Sequence, residues 1–198
     1  MDETSAIRLC IRHRDPAGFE FLVKKFRKEA LYHAVSFLGN YEDASDACQD
    51  SFCKAFVSIT SLKKLDRFYP WFYVILKNNC LNMIRKKARF DEGRENIYNS
   101  VTQISDSGPE KVLEQQEGTG KIWHIINSLK TEHREILVMK YAMKNNYERI
   151  AVTLGIPRGT VMSRLYYARK AFKDKYMEAV PNNASGELNG GKNGEKKL

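Results

Sequence analysis

The sequence predicts an all-α fold in two small helical domains, on three observations. Apolar residues recur at helical spacing almost everywhere, no β-alternating stretch of useful length occurs, and the pattern fades once in mid-chain, between about Phe90 and Gly120. A length of 198 residues allows one compact domain or two small ones, and no internal repeat suggests an array.

In Pro16 to Leu38, the residues Leu22, Phe26, Ala30, Ala34 and Leu38 form one apolar row, with Phe19 and Phe37 beside it. Gly39-Asn40 breaks the run, and Asn40 is placed to cap a second helix from Tyr41. That helix buries Ala44, Ala47, Cys48, Phe52, Ala55, Phe56 and Ile59. Thr60 to Arg67 reads as a polar loop. A third helix is expected from about Tyr69 to Arg89, with Pro70 in its first turn and Phe72, Ile75, Leu76, Cys80, Met83 and Ile84 inward.

The mid-chain stretch holds Ser105-Asp106-Ser107-Gly108-Pro109 and Gly118-Thr119-Gly120 around a short acidic helix candidate, which reads as a linker. Order resumes at Ile122-Trp123-His124-Ile125-Ile126, followed by a helix capped by Thr131 and a last helical block from Tyr147 to Tyr176. The tail from Pro181 is rich in Asn, Gly, Lys and Glu and is expected to be disordered. The predicted boundaries are 1–92, a linker at 93–121, 122–178, and a tail at 179–198.

The net charge of +9 suits partners that carry phosphate. Its distribution is informative: residues 1–90 hold 16 basic and 10 acidic groups, 125–180 hold 11 and 5, and 91–124 reverse the balance with 3 and 7. Nothing approaches the apolar length of a membrane span, and the acidic start Met1-Asp2-Glu3 is unlike a signal peptide, so no membrane insertion and a cytoplasmic site are expected. Cys10, Cys48, Cys53 and Cys80 include no C-x-x-C, and no histidine lies at zinc-ligand spacing from a cysteine pair. Free or buried thiols and no metal site are expected. Catalysis finds no foothold either, with no nucleophile-base pair, no phosphate-cradling glycine loop and no implied cofactor.

Tyr147 to Phe172 has the spacing of a helix-turn-helix. Ala151 lets two helices cross closely, Gly155 suits the left-handed turn, and Ile150, Leu154, Ile156, Val161, Leu165 and Ala168 hold the pair together. Its second helix presents Arg158, Thr160, Ser163, Arg164, Tyr167, Arg169 and Lys170, a set fitted to base edges and phosphates in a major groove.

Two further patterns lie in the amino-terminal half. Asp43, Asp46, Gln49 and Asp50 gather away from the apolar stripe of the second helix, a repulsive arrangement that a basic partner surface would explain. On the third helix Lys77, Arg85 and Arg89 form one row, with Asn78, Asn82 and Lys86 beside it. Tyr69, Trp71, Phe72 and Tyr73 crowd its start. Cations, amides and aromatics together suit unpaired bases, although core packing accounts for Phe72 and competes for the other rings.

Asp43-Ala-Ser-Asp-Ala-Cys-Gln-Asp-Ser-Phe52 and Trp71 to Arg85 are similar to region 2 of the sigma-70 family. Leu129 to Arg134, Gly159 to Leu165 and Ala168-Arg169 are similar to its region 4. The whole resembles a bacterial sigma factor of the extracytoplasmic-function (ECF) group, over about 150 residues.

That resemblance implies a region 2 helical bundle and a region 4 helix-turn-helix. It implies that Asp46, Gln49 and Asp50 dock on the clamp helices of core RNA polymerase. Lys77, Asn78, Asn82 and Arg85, with Trp71 and Lys86 beside them, would engage the −10 element, and the polar loop before them would take a flipped base. Arg158, Thr160, Ser163, Arg164, Tyr167 and Arg169 would read the −35 element. The acidic linker would thread toward the polymerase cleft. Promoter DNA and an anti-sigma factor are the further partners implied. Met162 and Tyr167 stand where many members carry a basic residue, and Phe72 replaces the usual leucine of a Trp-Leu pair. The rivals are a stand-alone helix-turn-helix regulator, which leaves the acidic helix unexplained, and a helical interaction protein, which leaves the second basic block unexplained.

Overall fold

The computed structural model describes residues 1–94 and 119–179, and the described residues form helices and turns without a strand. The linker and tail expectations fall chiefly on residues 95–118 and 180–198, outside the described residues.

An amino-terminal helix that the apolar pattern did not single out, α1 (Glu3–His13), comes first. It is short, begins on the Asp2 cap, and buries only Ala6, Ile7 and Cys10. Three buried positions give too brief a row to stand out from loop sequence. Helix α2 (Pro16–Leu38) follows the Asp15 cap and ends at Gly39, whose φ of 81° accommodates the reversal. The two helices cross tightly at Gly18, where an added Cβ would sit 2.6 Å from the Ala6 carbonyl oxygen. Arg14, between them, donates to the carbonyls of Phe56 and Val57 at 3.2 and 3.1 Å. It thereby satisfies the last turn of α3 (Tyr41–Ser58).

Asn40 caps α3 as expected, its Oδ1 accepting from the Asp43 amide at 2.8 Å and its Nδ2 donating to the Asp43 carboxylate at 2.7 Å. The expected polar loop holds two 3₁₀ turns, Ile59–Ser61 and Leu65–Arg67, and leads into α4 (Phe68–Arg94), longer at both ends than its apolar pattern. Helices α1 to α4 share a core of Ile7, Leu22, Phe26, Phe52, Phe68, Phe72 and Leu76, with Phe52 and Phe72 stacked at 4.4 Å.

The carboxy-terminal half comprises α5 (Thr119–Asn127), α6 (Thr131–Leu137), α7 (Tyr147–Leu154) and α8 (Arg158–Ala179). Thr131 does not cap α6: Lys130 holds the cap position without a side-chain bond, and the helix runs on into a π turn at Val138–Ala142. Leu129, Ile136, Met139, Ile150, Val161, Leu165 and Ala168 make its core.

The two halves are packed together. Trp123 of α5 and Val138 after α6 are buried in the same apolar cluster as α2 and α4, with Ile126, Met143 and Leu154 against it. The seam places α6 and α7 along α2 and α4.

Candidate nucleic-acid interface

Helix α3 turns Ala47, Ser51 and Ala55 into the core, which leaves Asp46, Gln49 and Asp50 together on the exposed face. Asp43 is used otherwise, in the reciprocal cap with Asn40. Beside this face runs a groove of about 520 Å³ between α2 and α3, whose wall includes Phe19, Val23, Gln49, Phe52 and Phe56. Exposed acids next to an apolar cleft can take both a basic residue and an apolar one from a partner helix.

The rotation of α4 is fixed by a buried residue that the sequence reading passed over. Asn79 donates to the Ala47 carbonyl at 3.1 Å, lies 3.2 Å from Ser51 Oγ, and accepts from Lys54. With Asn79 inward, Asn78, Asn82, Arg85 and Lys86 are exposed and Lys77 is half-buried. Arg85 reaches Asn82 Oδ1 at 3.4 Å. The aromatic cluster at the start of α4 divides differently from its sequence. Tyr69, Phe72 and Tyr73 belong to the core, and Trp71 is the ring that stays partly open, 5.8 Å from Phe68.

The turn between α7 and α8 has Gly155 at φ 66°, and the Ile156 amide closes it onto the Ala151 carbonyl at 3.1 Å. On α8, Val161, Leu165 and Ala168 face inward. The centre of its exposed face is Met162, Ser163, Tyr166, Tyr167 and Lys170. Met162 and Tyr166 were not among the candidates, although Met162 stands four residues after Arg158 and Tyr166 three after Ser163, spacings that would have placed them there. Arg158 pairs with Glu148 at 3.0 Å in an exposed contact, and Thr160 is half-buried. Arg169 is exposed, its guanidinium 5.9 Å from the Tyr141 ring, and hydrogen bonds with Tyr147 and Tyr141 raise its pKa.

Arg164 is half-buried. Its charge is felt by Lys77 of α4 and by Glu135 of α6. Glu135 is buried, accepts a hydrogen bond from the Tyr73 hydroxyl, and lies 4.0 Å from Lys77 Nζ. Burial pushes its carboxyl up to about 7. Nearby His33 is fully buried and pushed down to about 3, first by burial and then by the charges of Lys77 and Arg149. Arg149 bonds Glu29 at 2.7 Å and stands 6.0 Å over the Tyr69 ring. Neither Glu135 nor Arg149 was readable as special, because their partners lie 62 and 120 residues away.

Among the described residues no group of three or more His, Cys, Asp or Glu could hold a metal, and no helix is long and apolar enough to cross a membrane. Cys10, Cys48 and Cys80 are buried free thiols and Cys53 an exposed one. Burial pushes both Cys48 and Cys80 up to about 12, far from nucleophilic use.

Comparison with known proteins agrees with this arrangement. Residues 22–90 match the family model of sigma-70 region 2, and residues 119–172 match that of sigma-70 region 4. The ECF RNA polymerase sigma factor SigW of Bacillus subtilis is 29% identical over 82% of this chain and 91% of its own. The RNA polymerase sigma-H factor of Pseudomonas aeruginosa is 25% identical over 86% of this chain and 91% of its own. In fold, the chain is similar to CnrH, solved in complex with the cytosolic domain of CnrY, at a TM-score of 0.64, 19% identity, and coverage of 90% of this chain and 99% of that one. It is also similar to RpoE of Bartonella quintana, solved in complex with the anti-sigma factor NepR, at 0.60, 20% identity, and coverage of 79% and 94%. Two sigma-70 regions in order, on two helical units whose exposed helices carry basic faces, establish that the chain belongs to the sigma-70 family as a factor of the ECF group.

Proposed function

We propose that this chain binds core RNA polymerase in the bacterial cytoplasm and directs promoter-specific initiation, reading −35 duplex with α8 and melted −10 DNA with α4. The observation that carries this reading is the pairing of two basic, exposed helices in the order region 2 then region 4. Asp46, Gln49 and Asp50 are the docking residues. Trp71, Lys77, Asn78, Asn82, Arg85 and Lys86 serve the −10 element, and Arg158, Thr160, Ser163 and Arg164 the −35 element with Tyr167. Arg169, exposed beside Tyr141 and Tyr147, joins the −35 set as a phosphate contact.

The work is differential binding. Contacts to −35 duplex set the register. Capture of unstacked −10 bases offsets an opening cost of a few kcal/mol per base, since each stacked base returns ~1–3 kcal/mol. Bond formation belongs to the polymerase. Because RpoE and CnrH were solved with NepR and CnrY, an anti-sigma protein is a further partner of this chain. A stand-alone regulator would need α8 alone and leaves the acidic face of α3 and the region 2 match without a use.

The test is co-elution of the chain with bacterial core RNA polymerase, against Asp46→Ala/Asp50→Ala. Co-elution lost in the double variant supports the reading. A folded wild-type chain that does not co-elute overturns it.

A further inference from the structure

By sequence α8 is a basic helix, yet the centre of its exposed face is apolar. Val161, Leu165 and Ala168 fix the inward side. Met162, Tyr166 and Tyr167 stand away from it, at 53%, 64% and 59% exposure. The two tyrosine rings meet edge to face, with centroids 5.4 Å apart at 79°, which holds Tyr166 in place. The other hydrogen-bond donors of these turns are engaged or lie at the margin. Arg158 pairs with Glu148 at 3.0 Å, Arg164 is half-buried, and the Ser163 hydroxyl donates to the Thr160 carbonyl at 3.1 Å. Gly159 lies on the same face one turn before Ser163, and a Cβ added there would meet nothing within 4 Å, so approach to the face is unobstructed.

Single exposed apolar side chains are ordinary on a protein surface. Three adjoining ones, flanked on the same helix by Arg158, Arg164, Arg169 and Lys170, fit an apolar surface bordered by anions. A DNA major groove has that form. Its rims are phosphates, and its floor carries donors, acceptors and one apolar group, the thymine C5-methyl. Guanine offers acceptors there and needs a donor at the centre of the face, where a thioether and ring carbons stand instead. Along the helix axis Met162 and Tyr166 are about 6 Å apart. That is close to two base steps of about 3.4 Å, so each side chain meets a base pair of its own.

We propose that Met162 and Tyr166 are specificity-determining residues: they select thymine at two positions of the −35 element by apolar contact with its C5-methyl group, and Tyr167 braces Tyr166. The inference rests on the sigma reading for the placement of α8 in the −35 groove and names what that helix reads there.

Replacing thymine by deoxyuridine tests it, because the exchange removes the methyl and leaves every hydrogen-bonding edge unchanged. Holoenzyme assembled from the full chain and core RNA polymerase first selects from duplex promoters with a randomised −35 element. The selected duplex is then remade with deoxyuridine at each thymine in turn. Wild type is expected to bind about fourfold more weakly at two of these positions, the effect of one methyl-sized group buried. Met162→Ala should abolish the difference at one of them and Tyr166→Ala at the other, each leaving the second contrast intact. Both side chains are exposed, so the variants are expected to fold, which circular dichroism checks. A purely structural loss would weaken thymine and deoxyuridine duplexes equally. A wild-type holoenzyme indifferent to deoxyuridine overturns the proposal and leaves the apolar face to a protein partner. A contrast that survives both substitutions overturns it as well. A chain that never joins core polymerase overturns the sigma reading itself and, with it, this assignment.

Discussion

Asn79 of α4 donates to the Ala47 carbonyl oxygen of α3 at 3.1 Å, and this bond sets the rotation of one functional helix against the other. With Asn79 pinned inward, the row Asn78, Asn82, Arg85 faces solvent while α3 keeps Asp46 and Asp50 outward. The same side chain accepts from Lys54 and lies against Ser51 Oγ, so removing it strands several polar groups. Asn79→Leu is expected to cost about 1–3 kcal/mol of stability. Urea unfolding checks this, with a lower midpoint at an unchanged slope.

Gly18 and Gly159 separate two uses of glycine. A Cβ on Gly18 would come within 2.6 Å of the Ala6 carbonyl oxygen, and backbone cannot yield as a side-chain tip can. Gly18→Ala should push α1 away from α2 and destabilise by about 1–3 kcal/mol. Gly159 meets nothing within 4 Å, so Gly159→Ala should be neutral or stabilising by less than about 1 kcal/mol. Paired melting curves of the two variants give the comparison directly.

Lys86 and Arg164 should fail differently on DNA under the proposed function. Lys86 is exposed on α4 among cations with no base-reading geometry of their own. Lys86→Ala is expected to weaken binding to open promoter DNA nearly uniformly across sequences and to reduce the salt slope by about 0.7. Arg164 can bond two acceptors on one base edge, so Arg164→Ala should cost about 1–3 kcal/mol at selected −35 positions and relax discrimination there. Holoenzyme binding to a panel of single-base promoter variants, at several salt concentrations, distinguishes a slope change from a specificity change.

What sequence could and could not deliver follows from the range of each interaction. The caps at Asn40 and the turn at Gly155 are local, so their residue types announce them. Asp46, Gln49 and Asp50 were placed on one face by period alone, and the structure puts them there, exposed. Tyr69 and Tyr73 lie beside a basic row in sequence but are buried under Phe26 and His33, a fact decided by α2 and invisible in α4. Glu135 reads as an ordinary acid on a short helix. Its burial depends on α4 arriving from 62 residues earlier, which no periodicity encodes. Arg169 lies on the solvent side of α8 by spacing and is exposed there, and only its neighbours Tyr141 and Tyr147, brought in from other elements, were out of reach of the sequence.

The acidity of the seam groups makes closure of the two halves dependent on pH, with opposite signs on its two sides. Glu135 is raised from 4.5 to about 7 by burial, against Tyr73 and Lys77 of α4 and Arg164 of α8. A raised carboxyl contributes to the closed state fully below its ordinary value and loses that contribution as pH climbs through 7. His33 runs the other way: it faces Tyr69, Tyr73 and Lys77 of α4 and Arg149 of α7, and is lowered from 6.5 to about 3. Opening takes Arg149 away and admits water, so the neutral histidine favours closure above 6.5 and opposes it as pH falls below that value. The two trends offset between about 4.5 and 6.5, so the packing of the two halves is expected to be most stable across that window and to weaken below 4.5 and above 6.5, with the radius of gyration of the free chain growing on either side. Glu135→Gln removes the alkaline limb alone, because an amide keeps the shape and cannot ionise. His33→Leu removes the acid limb alone. Scattering that stays flat in wild type on both sides of that window, or limbs that survive their own substitutions, would separate these two groups from the control of closure.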